Sequence, residues 1–222
     1  MVCICVFSPF AYTDTELYSI AARERVFERF GAGERDRINK ISNHSGKALS
    51  LGGLIALGRA LESLGISGAH MPISRDHFGK PRFDIGECEF SISHAGALSV
   101  AAVSADGGVG VDIESIDSGR DILRIAKRFF SEAERRELES AEDRVTGFYR
   151  IWTAKEAMMK LGGEGMLSIM SAESISAEES GERSFVRYKV SFDRGEYILT
   201  LCTPRKEKTE IFTCEGVSVL RD

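Results

Sequence analysis

The chain has 222 residues, of which 43% are hydrophobic and 28% are charged, and its formal net charge is −5. This length and apolar content can bury one large core or two small ones. A general nucleic-acid binder is usually basic, so the acidic balance disfavours that class. No apolar run approaches the roughly 20 residues that cross a bilayer. We therefore expect no nucleic-acid partner and no membrane association.

The chain starts with a short apolar segment, Met1 to Phe7, which we interpret as a first β-strand. The segment lacks the basic residues that open a signal peptide. The five cysteines are odd in number and show no metal-ligand spacing, which indicates reduced thiols. Reduced thiols are typical of a cytoplasmic protein, and we expect that location.

Two helices are predicted in the first third of the chain. The first covers Thr13 to Arg29, with Thr13 or Asp14 as its N-terminal cap. The second is strongly apolar, covers Lys47 to Leu64 and ends at Gly65.

The next segment carries a turn and two predicted strands. Gly79-Lys80-Pro81 is typical of a turn that fixes the position of a cation, although taken alone it is equally an ordinary surface turn. A strand-like alternation then runs from Phe90 to a turn at Ala95-Gly96, and a buried strand resumes at Leu98. His94 could meet an anion there, or could serve as a structural hydrogen-bonding residue.

Polar and apolar residues alternate from Gly107 to Ile116, which predicts a strand. Asp112 and Glu114 then project from one face, roughly 6–7 Å apart. Two carboxylates so close repel each other, and a hard divalent cation such as Mg²⁺ would remove that repulsion. The alternative is the polar outer face of an edge strand.

The remaining pattern predicts three helices and then strands. The first two helices cover Arg120 to Phe130 and Glu132 to Glu139, the second with a Ser131 cap and Glu134 at the capping-box position. The third runs from Phe148 to Leu161 and ends at Gly162-Gly163. Three strands follow, over Ser184 to Phe192, Glu196 to Cys202 and Thr209 to Val219, with a hairpin turn at Asp193-Arg194-Gly195.

The third helix carries charges on a defined face. Glu156 lies opposite the apolar stripe, and Lys160 shares its side one turn later. Lys155 lies on the shoulder between the two faces. Taken alone, this pattern is also that of a solvated helix face with one ion pair.

Five short motifs occur in a defined order along the chain. They are Gly79-Lys80-Pro81, Ser91-Ile92-Ser93-His94, Gly110-Val111-Asp112-Ile113-Glu114, the segment Arg128 to Glu134, and Trp152-x-x-Lys155-Glu156-Ala157. Each motif is weak alone, but the ordered set at these spacings is specific. In this set the chain resembles the 4′-phosphopantetheinyl transferases of the surfactin-synthetase-activating type.

The resemblance implies an α+β fold of two similar α/β halves that form a pseudo-dimer within a monomer. Each half would have a small mixed or antiparallel sheet packed by helices. We expect an N-terminal half over residues 1–105, on the adenosine side of coenzyme A, and a C-terminal half over residues 106–222, with the metal site and the catalytic helix. The best boundary is a hinge at Ala105 to Gly108.

The resemblance also implies a reaction, in which 4′-phosphopantetheine passes from coenzyme A to a serine of an apo acyl or peptidyl carrier protein. The products would be the holo-carrier and adenosine 3′,5′-bisphosphate, as for an Mg²⁺-dependent holo-[acyl-carrier-protein] synthase. Two other classes stay open: a non-catalytic module that binds coenzyme A or a nucleotide, and a metal-dependent phosphohydrolase, for which the sequence offers no second metal site.

Roles for single residues follow from the resemblance. Asp112, Glu114 and Glu156 would hold Mg²⁺, or Mn²⁺ in its place, and Glu156, Lys160 and Asp112 would be catalytic. The expected contacts to coenzyme A are Lys47, Gly79, Lys80, Pro81, Ser93, His94, Asp112, Lys155, Glu156 and Lys160.

Four expectations are less specific, namely the roles of Lys47 and Lys155, the further basic contacts and the carrier surface. Lys47 stands where the family more often has an arginine, and Lys155 would either steady the phosphates or orient the helix. Arg37 and Lys40 are candidates for further basic contacts. The carrier would dock on Arg120 to Tyr149, where Phe129 and Phe130 either expose apolar area or pack in the core.

Overall fold

The computed structural model describes residues 1–66, 70–85, 88–163, 183–214 and 216–222. The helices within these residues are α1 (Asp14–Arg23), α2 (Val26–Phe30), α3 (Ala32–Lys40), α4 (His44–Ser63), α5 (Ile122–Phe129), α6 (Glu132–Ser140) and α7 (Arg144–Gly162). The strands are β1 (Val2–Phe7), β2 (Ile73–Arg75), β3 (Pro81–Phe83), β4 (Glu89–Ala95), β5 (Leu98–Ser104), β6 (Gly110–Ser115), β7 (Ser184–Phe192), β8 (Gly195–Thr203), β9 (Thr209–Thr213) and β10 (Val217–Arg221).

Two four-stranded sheets form the centre of the molecule. The first has the order β4-β5-β1-β9 and is mixed, because β1 runs antiparallel to β5 and parallel to β9. The second has the order β10-β7-β8-β6 and is antiparallel throughout. A separate ribbon joins β2 and β3. The expected α+β class with small mixed and antiparallel sheets is confirmed, whereas the pseudo-dimer symmetry stays a prediction.

The two sheets pack face to face, and a long helix covers the outer side of each. Ile4, Val100 and their neighbours on the first sheet share an apolar core with Val111, Ile113 and Leu199 on the second. The opposite face of the first sheet packs on α4 and includes Cys5. The opposite face of the second sheet packs on α7. The strand alternation of β6 therefore turns its polar residues toward α7.

The first sheet contains a strand from beyond the expected boundary near residue 105. Thr209–Thr213 forms β9 and pairs in parallel with β1, with Ile4 opposite Ile211. The mixed sheet is thus completed by a segment about two hundred residues away in sequence. The division of the chain at 105/106 stays a prediction, and the sheet is continuous across it.

Several predicted element boundaries differ from the structure. The helix expected over Thr13 to Arg29 is two helices, because Arg25 adopts a left-handed conformation with φ of 53°. The short helix α3 was not predicted. The last predicted strand, Thr209 to Val219, is two strands in different sheets, and Gly216 between them has φ of 82°.

Other predictions are confirmed by the capping contacts. Thr13 forms a capping box with Glu16, and Ser131 forms one with Glu134. Helix α4 begins earlier than expected because the Asn43 side chain accepts a hydrogen bond from the Gly46 amide.

Of the two rings considered for the carrier surface, Phe130 is buried and Phe129 is partly exposed. None of the described helices has the length and apolar content of a membrane-spanning segment.

Candidate active site

The candidate site forms where β6 passes close to α7. An added Cβ on Gly110 would lie 1.9 Å from the Ala157 carbonyl oxygen, so only glycine permits this approach. Asp112 and Glu114 point from β6 to the helix, and Glu156 faces them. One carboxylate oxygen from each of the three residues lies within 4.8 Å of the other two. The periodicities predicted the strand face and the helix face, and the family resemblance predicted that the two meet. We refer to these three residues as the carboxylate cluster.

Lys160 and Ser93 are both bonded to Asp112. Asp112 Oδ1 accepts hydrogen bonds from Lys160 Nζ and Ser93 Oγ, each at 2.7 Å, and Lys160 Nζ also donates to Ser93 Oγ at 2.8 Å. Asp112 Oδ2 is buried and has no hydrogen-bond partner within the described part of the chain. A buried acceptor without a partner is costly. The second oxygen of Asp112 is therefore positioned to bind a cation.

Glu114 is oriented by an arginine that the sequence pattern did not identify. Trp152 Nε1 donates to Glu114 Oε1 at 3.1 Å, and Arg120 Nη1 donates to Oε2 at 3.4 Å. The Arg120 guanidinium also lies 5.7–5.8 Å from the ring centroids of Phe148, Tyr149 and Trp152. Cation–π contacts of this kind hold an arginine in place. The sequence pattern placed Arg120 at the start of a helix, whereas it lies in the short segment between β6 and α5.

The cluster is electrostatically strained without a cation. Burial raises the pKa of Glu156 to about 7, Asp112 and Glu114 add to the rise, and Lys160 opposes it. Burial also raises the pKa of Glu114, with Asp112 as the next cause and Arg120 in opposition. Neighbouring negative charges disfavour ionisation of each carboxyl. The same arrangement favours a divalent cation, which stabilises all three ionised forms together.

The cluster lines a central pocket of about 350 Å³. The pocket also includes predicted residues Pro81, Ser93, His94 and Lys160, so these reach the same site. Burial lowers the pKa of His94, and the Lys160 ammonium adds to that lowering.

Two arginines on the pocket wall share a buried carboxylate. Arg37 was a candidate from the sequence, whereas Arg75 was not predicted, and both line the pocket. Glu34 is 4% exposed and pairs with Arg37 Nη2 at 2.8 Å and with Arg75 Nη2 at 3.0 Å. Bidentate-capable guanidinium groups held in this way provide a wall suited to phosphate.

Lys80 and Gly79 lie beside the central pocket in a smaller side pocket of about 230 Å³. Lys80 Nζ donates to the Leu161 carbonyl at 3.0 Å, so it caps the last turn of α7. Burial lowers the pKa of Lys80, with the Arg82 charge as the next cause. Pro81 borders both pockets. The expected turn is present, with Gly79 at φ of 85°.

Two predicted contacts to coenzyme A do not reach these pockets. Among the described residues that line the two pockets, neither Lys47 nor Lys155 occurs. Lys155 is 1% exposed and donates to both carboxylate oxygens of Glu134 at 3.0 Å. Of the two roles expected for Lys155, the geometry favours orientation of the helix.

Comparison with known proteins finds sequences similar to this chain. The sequence profile described as the 4′-phosphopantetheinyl transferase superfamily matches residues 108–202, which contain the carboxylate cluster. A Bacillus subtilis protein named 4′-phosphopantetheinyl transferase is 26% identical over 223 residues, 94% of each chain. The transferase psf-1 of Bacillus pumilus is 35% identical over 154 residues, 63% of this chain and 64% of its own. The transferase Sfp of Bacillus subtilis strain 168 is 32% identical over 114 residues, 50% of each chain. The chain is thus similar over most of its length to a protein named 4′-phosphopantetheinyl transferase, and the superfamily profile covers its C-terminal part.

Proposed function

We propose that the protein transfers 4′-phosphopantetheine from coenzyme A to a serine of an apo acyl or peptidyl carrier protein. The observation that carries this proposal is the carboxylate cluster beside Lys160 on the wall of a pocket with basic residues. A pyrophosphate donor needs both a cation and fixed positive charge around it. The relatives named as transferases support the same reaction.

Asp112, Glu114 and Glu156 would hold Mg²⁺, or Mn²⁺ in its place. The donor set is made only of carboxylate oxygens, which suits a hard cation, and Asp112 Oδ2 lacks a partner within the described chain. When bound, the ion neutralises charge on the pyrophosphate of coenzyme A.

The reaction then needs one proton acceptor and one charge partner from this chain. The serine oxygen forms a bond to the phosphorus that carries pantetheine, and the bond from that phosphorus to the bridging oxygen breaks. Glu156 receives the serine proton, directly or through water. Lys160 stabilises the negative charge that grows on the departing adenosine 3′,5′-bisphosphate.

The basic wall would bind the part of coenzyme A that does not react. Arg37, Arg75 and His94 line the central pocket, and Lys80 lies at its side. We place the adenosine and the 3′-phosphate along these residues. Fixed guanidinium pairs bind phosphate oxygens well.

The carrier would dock on the segment from Arg120 to Tyr149. On α5, Leu123 is 59% exposed and is flanked by the exposed cations Arg124, Lys127 and Arg128. An apolar centre with a charged rim is typical of a protein interface. Phe129 packs edge-on against Trp152, with ring centroids 5.6 Å apart, so this surface is continuous with the site.

We further infer a monomer with halves at 1–105 and 106–222, in the cytoplasm. The face-to-face sheets, each covered by its own helix, support the two halves. All five cysteines are free, which agrees with a reducing compartment.

The test is to incubate the protein with coenzyme A, Mg²⁺ and a panel of apo-carriers, and to weigh the intact carriers. We expect at least one carrier to gain the mass of phosphopantetheine. If coenzyme A binds but no carrier in a broad panel gains mass, the protein is a binding module and the proposal is wrong.

A further inference from the structure

We propose that Lys155 and Glu134 form a positioning pair that fixes the orientation of α7 and thereby places Glu156. The inference rests on the proposed function, because it concerns the catalytic helix of that reaction. It gives Lys155 no contact with coenzyme A.

The pair is set apart by its burial. Lys155 and Glu134 are 1% and 0% exposed, and no other ion pair of the described residues has both side chains so deeply buried. Lys155 Nζ lies 3.0 Å from both carboxylate oxygens of Glu134. Such charge-assisted contacts are strongly directional.

Glu134 is itself held in place by the start of α6. Its Oε2 accepts a hydrogen bond from the Ser131 amide at 2.7 Å, and its own amide donates to Ser131 Oγ at 3.2 Å. The carboxylate is therefore part of a helix cap, which fixes it relative to the backbone of α6. Lys155 thus binds to an anchor that cannot easily move.

Stability alone does not account for this pair. Burying two charges costs desolvation, and apolar replacements of a buried ion pair are often neutral or stabilising. A pair of this kind can instead select one geometry among several similar packings. Directional contacts between α6 and α7 provide that selection here.

The position of Lys155 also determines that of Glu156, because the two are neighbours on one rigid helix. A rotation or slide of α7 that moved Glu156 away from Asp112 would pull Lys155 from Glu134. Glu156 must lie close to both Asp112 and Glu114 for the three to share a cation. The pair therefore sets the distance within the carboxylate cluster.

The experiment compares Lys155→Met, Glu134→Gln and the double variant with wild type. We expect each single variant to lower kcat about 10- to 100-fold, as displaced catalytic groups do. Mn²⁺ affinity, measured without coenzyme A or carrier, should weaken in parallel. The KM for coenzyme A should change by less than about threefold, because the basic residues that we place along its adenosine end are not substituted. Lys189→Met, an exposed lysine on β7, is the matched control and should behave as wild type.

The double variant separates the effect of a displaced Glu156 from the effect of lower protein stability. It leaves no unpaired buried charge, so its melting temperature should be closer to wild type than that of Glu134→Gln. Its kcat and Mn²⁺ affinity should stay low, because the directional contact is still missing. A double variant with wild-type kcat and Mn²⁺ affinity would overturn the proposal.

A second result would also overturn it. If Lys155→Met mainly raises the KM for coenzyme A and Glu134→Gln has little effect, then Lys155 acts on the donor. Failure of the proposed function is distinguishable from either result. In that case the wild type transfers nothing to carriers, while the Mn²⁺ affinities of the variants still report on the pair.

Discussion

Asp112 contacts both the helix lysine and the serine of the first sheet, and it belongs to the carboxylate cluster. One of its oxygens is bonded to Lys160 and Ser93, and the other is buried without a partner within the described chain. The first oxygen ties the strand to the helix, and the second is available for a cation. Loss of its charge should therefore affect chemistry more than folding.

We expect Asp112→Asn to reduce turnover by at least about 100-fold and to remove most of the thermal stabilisation that Mg²⁺ gives. Asparagine keeps the shape and the contact with Ser93 but removes the charge that binds the cation. Carrier mass gain and melting with and without Mg²⁺ measure both effects. Asp193→Asn, in an exposed turn with φ of 53°, is the control and should change neither. Wild-type turnover of Asp112→Asn at limiting Mg²⁺ would remove Asp112 from the metal site.

Lys160→Ala should lower kcat more than it weakens coenzyme A binding, because its ammonium acts where charge grows in the transition state. By analogy with oxyanion donors, the loss corresponds to about 2–4 kcal/mol. His94→Ala should instead mainly raise the KM for coenzyme A. Kinetics of both variants on one carrier test this, and the reverse pattern would show that the donor lies in the opposite orientation.

Arg75→Met should reduce the preference for coenzyme A over 3′-dephospho-coenzyme A, since Arg75 lies on the wall where we place the 3′-phosphate. We expect the KM for coenzyme A to rise about tenfold, the effect of one charge-assisted contact, with little change for the dephospho compound. Arg194→Met, an exposed arginine in the β7–β8 turn, serves as the comparison. An equal loss for both donors would place the 3′-phosphate elsewhere.

Among single residues, the sequence predicted those whose spacing matches a strand or helix period and missed those whose position depends on tertiary contacts. Asp112 and Glu114 share a strand face, and Glu156 and Lys160 share a helix face, so local spacing was sufficient to predict each face. That the two faces meet was predicted only from the family resemblance. Lys155 lies on the same helix, but its burial depends on Glu134 across the α6–α7 contact. Arg120 and Arg75 are in irregular or short segments, where periodicity carries no information.

Among the elements, the approach of β6 to α7 decides whether the site can form. Gly110 lies at the contact, and its missing side chain allows the strand to touch the helix backbone. A change there should therefore affect both stability and catalysis.

Gly110→Ala should destabilise the protein by about 3 kcal/mol, the upper range for overpacking, because the new methyl would meet backbone that cannot rotate away. It should also lower turnover, since Asp112 and Glu156 would move apart. Gly107→Ala is the matched control, because nothing lies within 4 Å of its added Cβ. Denaturant unfolding and carrier assays of the two variants measure the difference. Equal stability of both variants would contradict the close contact.

The elements that the sequence missed share a physical cause. The pairing of β9 with β1 is a non-local contact, and local patterns predict that a strand exists but not which strand it joins. The break between α1 and α2 depends on one left-handed residue, Arg25, which is not a glycine. Capping boxes at Thr13 and Ser131 were predictable because every contact in them is local.

For the whole molecule, the site lies where β4 of the first sheet meets β6 of the second, next to α7. Ser93 comes from the first sheet, Asp112 and Glu114 from the second, and Glu156 and Lys160 from the helix outside it. No single layer carries the complete set. We therefore expect cation binding to stabilise the molecule as one unit.

A group transfer yields two products, so carrier mass gain and adenosine 3′,5′-bisphosphate release should be measured in the same reaction. We expect equal molar amounts of modified carrier and released nucleotide, and neither product when a chelator removes the divalent cation. Nucleotide release without modified carrier would show a phosphohydrolase and would rule out the proposed transfer.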